Sequence, residues 1–163
     1  MNRMGRVAAA ALLAALLAAC GSSPAANEAP PPAPRTAPSG LDLVQLTIES
    51  GGRSHAFTVE VARTAEQQDR GLMFRTRLGP DEGMLFPFDP PRPASFWMRN
   101  TLIPLDMIFI RPDGTIARIA ANTVPRSEEL VSVTEPVTAV LEIPGGRAAQ
   151  LGITGGRVSW SDY

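Results

Sequence analysis

The chain has 163 residues, which suits one domain with appendages. With 15 basic and 16 acidic residues its net charge is −1, which excludes the positive field expected of a nucleic-acid binder. Cys20 is the only Cys and His55 the only His, which excludes intrachain disulfides, thiolate zinc sites, imidazole-rich metal sites and most catalytic triads. No cofactor-binding glycine loop follows a strand pattern, and no Asp/Asn-dense calcium loop is present.

Residues 1–19 read as a signal peptide. Arg3 and Arg6 precede an unbroken Val, Ala and Leu run from Val7 to Ala19, shorter than the roughly 20 residues of a membrane-spanning helix. The run ends Leu17-Ala18-Ala19-Cys20-Gly21, which resembles a bacterial lipoprotein processing site. That resemblance implies lipid on Cys20, several acyl chains being what stable anchoring takes. The expected location is the periplasmic face of a membrane. Gly21 after the cysteine points to the outer rather than the inner membrane in a Gram-negative host. Residues 21–40 hold six prolines and no apolar periodicity, so residues 20–40 are expected to be the lipidated Cys and a disordered tether.

Residues 41–163 are long enough for one core. Val44, Leu46 and Ile48 alternate with polar residues, Ser50-Gly51-Gly52-Arg53 makes a turn, and His55, Phe57, Val59 and Val61 alternate in turn. This predicts a hairpin with a half-exposed structural His55. Thr64 and Gln67 form a capping-box pattern and Gly71 suits a C-terminal cap, predicting a two-turn helix over Ala65–Arg70. Gly83–Phe88 reads as a strand with Pro87 marking its end or an edge, and Asp89–Pro93 as a rigid loop. Phe96–Thr101 alternates as a strand, with Phe96, Met98 and Asn100 on one face. Leu105–Ile110 is apolar on both faces and so interior. Arg111–Gly114 is a tight turn into a partner strand, Thr115–Ala121. A polar loop over Asn122–Glu129 then leads to two strands, Leu130–Val133 and Val137–Ile143, divided by Pro136. Gly145–Leu151 suits a short helix closed by Gly152, before a last strand at Val158–Trp160. The pattern predicts a mainly β domain, a compact antiparallel sandwich, jelly roll or barrel of about eight strands with one or two short helices.

The words Gly71-Leu72-Met73-Phe74-Arg75, Gly83-Met84-Leu85-Phe86, Phe96-Trp97-Met98-Arg99-Asn100-Thr101, Ile103-Pro104-Leu105-Asp106 and Val140-Leu141-Glu142-Ile143 stand in this order. Together they resemble the bacterial and archaeal family called domain of unknown function 192, over essentially all of 41–163. The resemblance implies a small, often exported β domain and no particular activity. The chain departs from the pattern at Val131, where an aromatic is expected, and at Arg157, where Asp is expected.

The candidate site residues are Arg75, Trp97, Arg99, Asn100, Thr101, Asp106 and Glu142. Asp106 and Glu142 are carboxylates on apolar strands, which is costly unless each is paired or hydrogen-bonded. Three readings stay open. A binding module would hold a small polar or glycan-like ligand, with Trp97 stacking, Arg75 and Arg99 pairing with an anion, and Asn100 and Asp106 hydrogen-bonding. A hydrolase would use Asp106 and Glu142 together across a gap of about 5–10 Å. A structural or assembly factor of the cell envelope would use the polar cluster only to define its fold. Trp97 and Phe96 also suit a core, and the scattered methionines suit core filling.

Overall fold

A computed structural model describes residues 35–161. The expected signal peptide, Cys20 and most of the expected tether lie outside the described residues. The elements run β1 (Arg35–Thr36), β2 (Asp42–Ser50), β3 (Arg53–Val61), α1 (Ala65–Arg70), β4 (Glu82–Phe96), β5 (Leu105–Ile110), β6 (Ile116–Thr123), β7 (Val131–Pro144), α2 (Arg147–Leu151) and β8 (Arg157–Trp160).

The first hairpin forms where the alternation places it. Val44 lies opposite Val59 and Leu46 opposite Phe57, all four buried, with Gly51 and Gly52 at positive φ in the turn. His55 sits half-buried opposite Ile48. Helix α1 has the full capping box. The Thr64 hydroxyl accepts from the Gln67 amide at 3.2 Å, and the Gln67 side chain accepts from the Thr64 amide at 3.0 Å.

The domain begins earlier than its composition implies. Residues 35–40, read as tether, form β1 against Leu43 and Asp42 of β2, followed by a turn that buries Ala37. Pro38 and Gly40 occupy the second and fourth positions of that turn, and the Gly40 amide donates to the Ala37 carbonyl at 2.9 Å. Prolines that look like a spacer thus end in a turn that returns the chain to a sheet edge.

The strands form one sheet in the order β1-β2-β3-β4-β7-β5-β6, with β8 also on β2. All ladders are antiparallel except β3–β4, which is parallel because residues 62–81, including α1, cross over between them. The sheet curls until Thr115 bridges Arg157, and the Ile116 amide donates to Gly156 while the Val158 amide donates to Gly114. The sheet therefore curls into a barrel joined at this corner between the start of β6 and β8.

Two cores result. The barrel interior holds Val44, Leu46, Ile48, Phe57, Val59, Ile108, Ile110, Leu141 and Ile143, with Ala148 of α2 at one end. The second core lies on the outer face of β4, β5 and β7 and holds Leu72, Met84, Phe86, Met98, Met107, Phe109 and Val140. Phe96 ties it together by edge-to-face contacts with Phe86 at 5.1 Å and Phe109 at 6.4 Å. Strand β5 separates the two cores, so all six of its residues are buried, as its double-sided apolarity predicts.

Three local expectations change. Phe96–Thr101 is not a strand. β4 ends at Phe96, and a turn follows in which the Thr101 amide donates to Met98 and Asn100 takes φ 59°, a left-handed conformation that Asn tolerates. Its backbone is tied to the 124–127 loop instead, Met98 N–H to Ser127 and Arg126 N–H to Thr101. Asp89–Pro93 does not end β4, and Pro136 does not divide β7. The two strands stay paired as a ribbon whose register shifts between Pro87 and Ala94, and those shifts absorb the prolines. Beyond the shifts the ribbon brings Ala94, Phe96, Val131 and Val133 over the second core.

Candidate functional site

The register of β5 against β7 decides the two buried carboxylates. Asp106 pairs with Ile143, and Met107 pairs with Glu142. Successive residues of a strand point to opposite faces, so Asp106 shares the barrel face with Ile143 and Glu142 shares the outer face with Met107. The paired-carboxylate arrangement required for a two-carboxylate hydrolase is therefore not formed.

Asp106 is fully satisfied. Its Oδ1 accepts the Asn122 amide at 2.7 Å and the Gly146 amide at 2.8 Å, and its Oδ2 accepts the Ala148 amide at 2.8 Å. It closes one end of the barrel by binding the start of α2 and the end of β6. This is the work of a fold determinant, since three amide donors meet the cost of burying the carboxylate.

Glu142 differs in every respect but burial. It is 5% exposed, and among the described residues no donor or cation meets its carboxyl. Burial alone pushes its pKa from 4.5 to about 8, so the acid form predominates at neutral pH. Gly83 makes its position possible, because a side chain there would collide with the Glu142 carbonyl across the β4–β7 ladder.

The Glu142 side chain lines a cleft of about 410 Å³. The apolar wall is Leu72, Phe86, Phe88, Phe96 and Trp97, and Thr101 is a second buried polar lining residue, its hydroxyl unpartnered among the described residues. Arg70, Arg92 and Arg99 line the same cleft, and none has an ion-pair partner among the described residues. Arg92 lies 4.1 Å from the Phe88 ring centroid and Arg99 5.3 Å from that of Trp97, within cation–π range. A neutral carboxylic acid can donate one hydrogen bond and accept others, so the cleft offers hydroxyl-matching groups, apolar faces and exposed cations together.

Four of the sequence candidates meet here: Trp97, Arg99, Thr101 and Glu142. Three do not. Arg75 pairs with Glu60 at 2.7 Å to both carboxylate oxygens, with the Ser39 hydroxyl also on Glu60. Asn100 faces a separate surface groove with Phe74 and Arg126, where its amide reaches Met73 Sδ at 3.7 Å. Asp106 belongs to the barrel end. The sequence reading missed Arg70 and Arg92, which lie respectively in the last turn of α1 and in the proline-rich stretch. Nothing in their local pattern marks them, because each reaches the cleft only through the crossover and the bent ribbon.

Residues 46–160 match the family described as an uncharacterized ACR, domain of unknown function 192. The chain belongs to the domain of unknown function 192 family. The cleft, Asp106 and the barrel closure all lie within the matched segment. The fold resembles the crystal structure of a protein of unknown function from Novosphingobium aromaticivorans DSM 12444, at 50% identity and TM-score 0.76, covering 80% of this chain and 94% of that one. It also resembles a Sinorhizobium meliloti 1021 protein described as a candidate transcription regulator, at 43% identity and TM-score 0.72, covering 74% of this chain and 95% of that one. A comparison with curated proteins finds no match.

Proposed function

We propose that this chain is an exported, lipid-anchored envelope protein whose β domain binds a small polar or glycan-like ligand in the Glu142 cleft. The observation that carries the binding reading is Glu142: a residue only 5% exposed whose carboxyl, unpartnered among the described residues, lines a cleft. A ligand hydroxyl or amide in the cleft would supply the hydrogen-bond partner that this carboxyl lacks within the chain. Thr101 adds a second free polar group, and Trp97 with Phe96 adds faces against which a sugar ring packs. The net charge of −1 favours this reading over nucleic-acid binding of the kind a transcription regulator performs.

The experiment uses the full lipidated chain in detergent with Trp160→Phe, which leaves Trp97 as the only Trp. Glucose, N-acetylglucosamine, glucuronic acid and glucose 6-phosphate are titrated at millimolar concentration. Binding of at least one is expected to shift Trp97 emission and raise the melting temperature. No response to any of the four overturns the reading. The anchor rests on the Val7–Ala19 run and Cys20. Cys20→Ser is expected to abolish membrane partitioning, and equal partitioning of variant and wild type would sink it.

A further inference from the structure

We infer that the cleft is built for a hydroxylated organic anion, a sugar acid or sugar phosphate, whose oxyanion sits among Arg70, Arg92 and Arg99 and whose hydroxyl meets the Glu142 carboxyl. This rests on the ligand-binding reading above and names its ligand class.

Charge decides between anion and cation. A lone buried carboxyl could hold an amine, but this one shares its cleft with three guanidinium groups. The only other acidic lining residue is Asp69. With Glu142 neutral, the three cations exceed the one carboxylate by two charges, on a chain whose net charge is −1. An ammonium would be repelled here and an oxyanion attracted. None of the three cations has an ion-pair partner among the described residues, so an arriving anion displaces no ion pair among them.

Depth decides the orientation. The guanidinium-bearing residues are exposed, whereas Glu142 and Thr101 are buried. An anion held at the rim keeps part of its hydration and receives planar, two-pronged donors. Arg92 and Arg99 lie against the Phe88 and Trp97 rings, which restrains their planes. The neutral hydroxylated end then enters the deeper part, where a charge would be costly and a hydroxyl finds both a donor and an acceptor.

The same geometry couples binding to protonation. The charged groups that share the cleft with Glu142 are Asp69 and Arg70 from α1, Arg92 from β4 and Arg99 from the 97–104 loop. Its β5 partner Met107 and β4 partner Met84 carry no charge, and Asp106 points away. An ionised Glu142 loses its donor and opposes the bound anion. Burial sets that ionisation at about 8, so affinity falls about tenfold per pH unit above it.

Calorimetry on the full chain at pH 6 compares glucuronic acid, glucose 6-phosphate and glucose. At least one anion is expected to bind tenfold or more tightly than glucose, and the two anions distinguish a carboxylate from a phosphate ligand. The double variant Arg92→Gln, Arg99→Gln, changed only at exposed positions, is expected to lose that preference. Glucose binding as tightly as both anions overturns the anion assignment and leaves the ligand-binding reading standing; silence of all three probes overturns the anion assignment, and silence of N-acetylglucosamine as well overturns both. Retained preference in the double variant also overturns the assignment. Glu142→Gln keeps a donor and an acceptor, so it is expected to bind at pH 6 and to lack the fall above pH 8. A folded Glu142→Gln that no longer binds at pH 6, or a wild type whose affinity rises through pH 8, overturns it.

Discussion

Asp106 and Glu142 are two carboxyl groups on adjacent strands, one residue pair apart in the same ladder and both buried. They have opposite fates because they face opposite sides of β5 and β7. On the barrel side the chain ends of β6 and α2 present three amides, and Asp106 becomes a structural tie. On the outer side the crossover and the β4–β7 ribbon stop short of Glu142 and leave a cleft over it. Burial alone therefore does not distinguish a satisfied carboxyl from an unsatisfied one. The supply of donors does.

The largest expected effect comes from breaking the satisfied member. Asp106→Ala orphans three amide donors and is expected to destabilise the domain by roughly 5 kcal/mol, measured by denaturant unfolding. An unchanged midpoint would erase the contrast between the two carboxyls.

Glu142→Gln sharpens the contrast with the opposite sign. The native carboxyl titrates at about 8 and the unfolded one near 4.5. Between these values the folded chain holds a proton that the unfolded chain has released, so this group lowers stability as pH rises and has no further effect above about pH 8. Glu142→Gln removes that loss. At pH 7 the variant is expected to exceed wild type by on the order of 3 kcal/mol, and near pH 4 to match it. Unfolding midpoints of the two chains across this range measure the difference, and a gap that fails to grow with pH contradicts the assignment.

Glu60 is a third buried carboxyl, satisfied by side chains rather than by amides. Arg75→Ala is expected to cost about 2 kcal/mol, since Arg75 is partly exposed and Ser39 remains on Glu60. It is also expected to leave sugar-anion affinity unchanged, which separates Arg75 from Arg99. The smallest effect is expected from Thr64→Ala, which removes one half of the capping box and costs about 1 kcal/mol. Fraying of α1 would loosen Arg70 at the cleft rim and weaken anion binding by a small factor.

Much of this molecule is written in local pattern. The alternation of β2 and β3, the capping box of α1, the tight turn at Arg111–Gly114 and the two-faced burial of β5 follow from side-chain period and turn chemistry. These features depend on residues close in sequence, so the sequence alone determined them. That Asp106 and Glu142 each needed an answer to burial was also legible, because a carboxyl on an apolar strand is costly wherever the strand packs. Which answer each received was decided only in three dimensions. The donors to Asp106 come from residues 16 to 42 positions away, and Arg75 found Glu60 rather than Asp106. Arg70 and Arg92 joined Trp97, Arg99, Thr101 and Glu142 only because a crossover and a bent ribbon bring them to one cleft. Period tells a residue which face it occupies; register and crossover decide what waits on that face.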